Sequence, residues 1–245
     1  MKGIILAGDS GTKLSPLTLV IPKQLIPIYD RPMIFFAIDI LKKSGIKDIL
    51  VITTPRHQDV FKQSLGNGSS FDIKLTYAVQ ENPRGIADAI TVGANFLKND
   101  DICLITADTI ILGDTLTFQL EKAYRAVEKS GNATIFVSRD TDENQYGKVV
   151  KQKVVGASDE NYYYSITGLY VFPRNAVEKV KQVEVSERGL LEITSLSRIF
   201  QDEEKLQIQE LSSDCKWLDT NSFDSLLNCG LQVQAQLKTN NFHNI

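Results

Sequence analysis

Cysteine and histidine are scarce in this chain. Its 245 residues include three cysteines and two histidines. Cys103, Cys215 and Cys229 lie far apart with no C-x-x-C pair, a pattern that suits free thiols in a reducing cytoplasm and offers no metal knuckle. A site built on two histidines would need both His57 and His243, and His243 is almost at the end of the sequence. No G-x-S-x-G nucleophile elbow occurs. Zinc enzyme, haem protein and serine hydrolase are therefore disfavoured from the start. An excess of positive charge is also missing: 27 Lys and Arg face 30 Asp and Glu, for a formal charge of −3. That balance argues against a protein that grips nucleic acid through its charge. Long apolar runs are lacking too. Ile34 to Ile38 is stopped by Asp39, far short of the roughly 18 residues that span a bilayer, so no membrane partner is expected. The apolar stretch after Met1 is too short for a signal peptide and reads as a strand.

The rest of the composition is ordinary. Hydrophobic residues make up 42% and charged residues 23%, which excludes a wholly disordered chain and allows a sizeable core. Short apolar runs alternate with helical patterns through the first half. Strands are predicted at Gly3–Ala7, Ile49–Ile52, Lys74–Val79, Ile102–Ile105 and Ala133–Val137. Helices are predicted from Pro32 through Leu41, over Gln58–Leu65, over Gly85–Leu97 and over Leu116–Lys129. This alternation implies an α/β fold, a Rossmann-like, doubly wound, mostly parallel sheet with mixed additions and helices on both faces. The second half is less regular. Strands are predicted at Val149–Val155, Ser165–Phe172, Leu206–Leu211 and Lys216–Leu218, with helices near Arg174–Lys181, Leu191–Phe200 and Phe223–Leu237. With no repeat or linker, residues 1–245 read as one domain.

Open α/β sheets bind ligands beyond the carboxyl ends of their strands. Residues 8–15 and 107–111 follow such ends. In the first, Gly8 and Gly11 bracket small polar residues, and Lys13 adds a charge; glycine lets backbone N–H groups approach an anion closely. The segment matches neither the Walker A pattern nor the dinucleotide G-x-G-x-x-G, and an ordinary glycine turn has the same look. Lys23, between Pro22 and Gln24, lies on a stiff extended path from which it can reach back to phosphates, although most lysines are solvated. Asp108 closes the fourth strand, where a carboxylate can hold Mg²⁺ or merely start a turn. Asp219, before Thr220, is a second such carboxylate or a helix cap. Two carboxylates, a glycine loop and two lysines together suit metal-assisted chemistry on a nucleotide.

The ordered set Gly3-Ile4-Ile5-Leu6-Ala7-Gly8, Ser10-Gly11-Thr12-Lys13-Leu14 and Pro22-Lys23-Gln24-Leu25-Ile26-Pro27, with Pro83-Arg84-Gly85, Tyr146-Gly147, Thr167-Gly168-Leu169-Tyr170, Leu191-Glu192-Ile193-Thr194 and Trp217-Leu218-Asp219-Thr220, resembles the sugar-1-phosphate nucleotidyltransferases, in particular their thymidylyltransferase branch. The resemblance runs across nearly the whole chain and implies a nucleotide-binding half to about residue 140 and a sugar-binding half after it. It implies transfer of a nucleotidyl group from dTTP or UTP to a sugar 1-phosphate, glucose 1-phosphate first among them, with Mg²⁺ as cofactor and a homo-oligomeric assembly. It further implies that Asp108 and Asp219 hold the metal, and that Lys13, Lys23 and Asp108 act on the phosphates. Leu6, Gly8, Ser10, Gly11, Thr12 and Lys13 would wrap the nucleotide, Gln80 and the Gly85 backbone would read the pyrimidine, and Gly147 and Ile166 would line the sugar pocket.

The chain departs from the family pattern at several of these points. Asp9 stands where the loop usually has a second glycine, and Lys13 stands where it has arginine, which loses a bidentate fork. Ala107-Asp108-Thr109 replaces Gly-Asp-Asn. A Glu-Glu-Lys-Pro segment expected between Gly147 and Thr167 is missing, and Gly189-Leu190-Leu191-Glu192 has lost one carboxylate. The departures cluster at the phosphate loop and the sugar pocket. They leave a second expectation open, a nucleotide-binding or regulatory member with impaired catalysis. A nicotinamide-dependent dehydrogenase is disfavoured because its fingerprint is absent.

Overall fold

Apolar alternation along the strands divides the core into two layers, one on each side of a central sheet. In the computed structural model, which describes residues 1–140 and 163–242, the chain forms eleven strands. They are β1 (Lys2–Ala7), β2 (Pro27–Ile28), β3 (Arg31–Pro32), β4 (Asp48–Thr53), β5 (Lys74–Val79), β6 (Ile102–Thr106), β7 (Ile110–Leu112), β8 (Ala133–Asp140), β9 (Tyr163–Phe172), β10 (Leu206–Glu210) and β11 (Lys216–Leu218). Seven of them form the central sheet in the order β10-β8-β9-β6-β1-β4-β5. All neighbouring pairs are parallel except those made by β9, which runs antiparallel to both β6 and β8. The expected mostly parallel, mixed sheet is thus the observed one.

Successive strand residues point to opposite faces. Ile5, Val51, Ile105 and Val171 pack with Ile34, Ala37, Ile38 and Leu41 of the helix Ile34–Lys43 and with Leu120, Ala123 and Val127 of the helix Leu116–Ser130. Their neighbours Ile4, Leu50, Leu104 and Tyr170 face the other way, toward Ile90, Ala176, Leu196 and Phe200. A third, smaller cluster joins Ile28, Met33, Phe36, Ile110 and Leu218 to Cys229 and Val233 of the helix Phe223–Phe242. This last cluster carries the C-terminal part of the chain to the ligand edge of the sheet.

Several expected elements are corrected. Pro32 does not open a helix; it pairs with Pro27 in a two-strand ribbon, and the helix begins at Ile34. The single helix expected over Gly85–Leu97 is two short ones, Asp88–Val92 and Ala94–Leu97, meeting at Gly93. Gly93 packs so closely that an added Cβ would lie 2.9 Å from Ile4 Cδ1. The helix expected over Arg174–Lys181 covers only Ala176–Lys179 and continues as a 3₁₀ turn. The strand expected at Val149–Val155 lies outside the described residues, as does Gly147. Among the described residues no helix is long and apolar enough to cross a membrane.

One irregularity bears on the site. The β8–β9 register shifts between Ile135 and Val137, as β-bulges commonly do near functional sites. Gly168 sits there with φ +85°, and an added Cβ would come within 2.5 Å of both Thr106 Oγ1 and Thr109 Oγ1. Thr109 Oγ1 in turn donates to Thr167 O at 2.8 Å. Glycine is required both for the left-handed backbone and for this close approach.

Gly168→Ala is expected to cost about 2–4 kcal/mol, combining left-handed strain with overpacking, read as a lowered urea midpoint with unchanged slope. All three cysteines are free and buried, and burial pushes the thiols of Cys103 and Cys229 up to about 12. At pH 8 the native protein is therefore expected to resist a thiol reagent, and the denatured protein to titrate all three cysteines.

Candidate active site

The parallel register aligns the carboxyl ends of four strands. Ala7 pairs with Thr53, Thr53 with Val79, and Leu6 with Thr106. Gly8, Gln80 and Asp108 therefore leave the sheet along one edge. Because β9 is reversed, its Ile166-Thr167-Gly168 segment reaches the same edge. Ile166 is half-buried there and packs on the core.

The loop after β1 turns at Gly11, whose φ of 64° and ψ of 34° are left-handed. An added Cβ at Gly11 would lie 2.9 Å from Lys23 Cβ, so the glycine allows loop and lysine to pack together. Ser10, Thr12 and Lys13 are exposed, and Lys13 makes no ion pair among the described residues. Asp9 neither points away from its loop nor stands free. Its Oδ1 accepts from the Gly11 amide at 2.9 Å, and its carbonyl accepts from Gln24 Nε2 at 3.0 Å.

Lys23 is no solvated surface lysine. It is 1% exposed, set in a 3₁₀ turn that Pro22 leads into. Its ammonium donates to Asp108 Oδ2 at 2.6 Å, Asn221 Oδ1 at 2.9 Å and Asp9 Oδ2 at 3.3 Å. Burial works against its charge, but Asp108, and after it Asp9, outweigh that penalty and hold the ammonium above the ordinary lysine range. Lys23 therefore stays protonated wherever the protein is folded near neutral pH.

Asp108 and Asp219 come from opposite halves of the chain, and a strand pair brings them to the same place. β11 runs antiparallel to β7, matching Leu218 with Ile110, so Asp219 arrives beside Thr109. A continuous hydrogen-bonded path then joins the two acids. Asp108 accepts from Lys23, Lys23 donates to Asn221, and Asn221 Nδ2 donates to Asp219 Oδ1 at 2.8 Å. The Asn221 amide donates to that same oxygen at 3.1 Å. Cys229 Sγ donates to Asp219 O at 3.0 Å and anchors the segment to the last helix. Asp108 Oδ1 and Asp219 Oδ2 take no hydrogen bond among the described residues, so each acid keeps one oxygen available. No group of three or more His, Cys, Asp and Glu among the described residues could hold a metal by itself. Two hard carboxylate oxygens do suit Mg²⁺, which typically takes one or two carboxylates and completes its shell with phosphates and water.

Gln80 is 4% exposed, and its amide is oriented from both sides. Nε2 donates to Gly85 O at 3.2 Å and to Asp88 Oδ2 at 2.8 Å, while Arg84 holds the other Asp88 oxygen at 2.7 Å. That fixes Oε1 toward Gly8, where an added Cβ would lie 3.3 Å from it. Gly85 has φ +101°, and an added Cβ would come within 2.4 Å of Leu191 O. The Leu191 amide donates to Arg84 O at 2.6 Å, so the 186–192 loop is fastened over the Gln80–Gly85 turn. On that loop Glu192 accepts from Ser186 and Arg188.

Gly8, Gly11, Lys23, Gln80, Gly85, Asp108 and Asp219 are thus gathered on one edge of the sheet. Leu6 lies under Gly8, its Cδ1 3.6 Å from an added Cβ there. The sequence alone did not single out Asn221, Asp88 or Gln24, because the first two act on other side chains and Gln24 on the Asp9 carbonyl, all outside any glycine loop or strand-end carboxylate. The one available signal was the spacing of Asn221 two residues after Asp219, a short turn in which an Asx side chain bonds its own backbone.

Known proteins resemble this chain in sequence and in fold. The nucleotidyl transferase family model matches residues 2–236. The glucose-1-phosphate thymidylyltransferase of Neisseria meningitidis is 39% identical, over 99% of this chain and 86% of the relative. That of Mycolicibacterium smegmatis is 37% identical, over 93% and 80% respectively. Among solved structures, a Bacillus anthracis protein described as a candidate glucose-1-phosphate thymidylyltransferase, in complex with a sucrose, superposes with a TM-score of 0.82 at 30% identity, covering 95% of this chain and 94% of that one. A UDP-glucose pyrophosphorylase complexed with UDP-glucose shares the fold, with a TM-score of 0.79 at 16% identity. By the family match, the identities and the shared fold, the chain belongs to the nucleotidyl transferase family, among the sugar-1-phosphate nucleotidyltransferases.

Proposed function

We propose that this chain transfers a thymidylyl or uridylyl group from dTTP or UTP to a sugar 1-phosphate, glucose 1-phosphate first among them, as a single domain whose residues 1–140 take the nucleotide and whose residues 141–245 take the sugar. The observation that carries this reading is the path Asp108–Lys23–Asn221–Asp219, which joins acids from both halves beside the glycine loop. In the reaction a phosphate oxygen of the sugar 1-phosphate attacks the α-phosphorus. The bond from that phosphorus to the oxygen bridging to the β-phosphate breaks, and pyrophosphate leaves. The attacking phosphate is largely ionised at neutral pH, with a second pKa of about 6, so no general base is needed.

The work left to the protein is to bring two anions together and offset the charge that develops. The loop Gly8–Lys13 offers backbone amides to the triphosphate, with Ser10 and Thr12 beside it. The exposed Lys13 adds charge, and Lys23 presents a permanent ammonium from below. Asp108 and Asp219 would hold Mg²⁺ through the oxygens that Lys23 and Asn221 leave available, and such an ion would supply positive charge against the phosphates. Gln80 Oε1 and the Gly85 amide offer an acceptor and a donor to one edge of a pyrimidine. Ile166, at the sheet edge, would line the sugar pocket; Gly147, assigned to it by resemblance, is outside the described residues.

A second reading, a member that binds nucleotide without turning it over, is favoured by one observation: Asp9 already engages the Gly11 amide and the Lys23 ammonium. Pyrophosphate release, measured with Mg²⁺, each nucleoside triphosphate and a panel of sugar 1-phosphates, separates the two. Turnover is expected with a pyrimidine triphosphate, and Asp108→Asn is expected to lower it by about 100-fold or more, the scale for losing a charge-stabilising group. Silence across the panel from folded protein would overturn the transferase reading. Asp88→Ala removes the charged acceptor that orients the Gln80 amide. It is expected to raise the nucleotide KM about tenfold with kcat little changed, the signature of lost uniform binding, and equal KM values would refute the role given to Gln80.

A further inference from the structure

Asp9 stands where an anion would. The Gly11 amide is turned inward by a left-handed backbone, and it donates to Asp9 Oδ1 at 2.9 Å. The buried Lys23 ammonium donates to Asp9 Oδ2 at 3.3 Å. The two carboxylate oxygens thus take the loop's buried amide and the buried cation packed against the loop, two donors of the kind a phosphate group seeks. The amides of Ser10, Thr12 and Lys13, by contrast, donate to nothing among the described residues. Asp9 is also the partner of Lys23 best able to leave. Its contact is the longest of the three, against 2.6 Å to Asp108 and 2.9 Å to Asn221, and its side chain is 51% exposed. If it swings outward, Lys23 keeps two acceptors and the carboxylate gains water.

We infer that Asp9 is a tethered competitor of the triphosphate, occupying part of the phosphate loop in the free protein and setting nucleotide affinity by having to be displaced. The inference rests on the proposed reading of residues 8–13 as the phosphate loop. A phosphate that enters takes over the Gly11 amide and faces Lys23, and a carboxylate left in place would repel it. When pyrophosphate departs, Asp9 folds back onto the same two donors, so it opposes product retention as well as substrate binding. The residue acts on phosphate affinity and takes no part in the bond changes.

The test is calorimetric binding of dTTP and, separately, of inorganic pyrophosphate to the wild type, Asp9→Gly and Asp9→Asn, with far-UV circular dichroism and melting to verify folding. Asp9→Gly is expected to bind both probes about tenfold tighter, because it removes both the plug and the repulsion. Asp9→Asn keeps an acceptor for the Gly11 amide without the charge and is expected to fall between. Equal or weaker binding by folded Asp9→Gly would overturn the inference, and if the wild type still turns over, the transferase reading survives that failure. Tighter binding by Asp9→Gly with no turnover in either protein would support the inference and sink the transferase reading. No binding of either probe by any of the three proteins would overturn both.

Discussion

A single buried ammonium organises this site. Lys23 is enclosed by two carboxylates and an amide oxygen that arrive from three distant parts of the chain. Such an ammonium is tolerated only where its hydrogen bonds are satisfied, and breaking a buried ion pair from one side typically costs about 3–5 kcal/mol. The pair with Asp9 sits toward that arrangement's exposed side and is worth less; the pair with Asp108 is the inner one. Lys23 thus ties the loop Gly8–Lys13 to the strand-end acid. Through Asn221 it also fixes the segment that carries Asp219.

The fold supplies the rest by register. Four parallel strands end level with one another, so their loops share one edge, and the reversed β9 adds a segment from the second half without a crossover at that edge. The small third core, around Ile28, Ile110 and Leu218, seats the last helix and the β7–β11 pair. It has fewer residues than the two main layers, and with the Lys23–Asn221 path it sets where Asp219 stands.

Much of this was legible in the residues. Short apolar runs located the strands of the central sheet, strand ends pointed to Gly8 and Asp108, and resemblance alone pointed to Gln80. What stayed hidden was relational. Pro32 has the φ of a first helical turn, but its pairing with Pro27 decided otherwise. The run from Gly85 to Leu97 has helical spacing throughout, and only the close approach of Ile4 to Gly93 explains why it breaks. Lys23 looked like any lysine beside a proline until tertiary contacts buried it. Asp9 looked like an intrusion into an anion loop; its carboxylate in fact satisfies the Gly11 amide and faces the Lys23 ammonium. Asn221 signalled only a turn after Asp219; its role exists only between two other side chains.

A crystal structure of the protein with a pyrimidine nucleoside triphosphate and Mg²⁺ tests the central claim most directly, that acids from the two halves of the chain serve one nucleotide site around Lys23. The account expects density for the triphosphate over residues 8–13, with the ion touching both Asp108 and Asp219 and the base against Gln80. A nucleotide bound elsewhere, or an ion held by one of these acids while the other remains remote from it, would contradict the account.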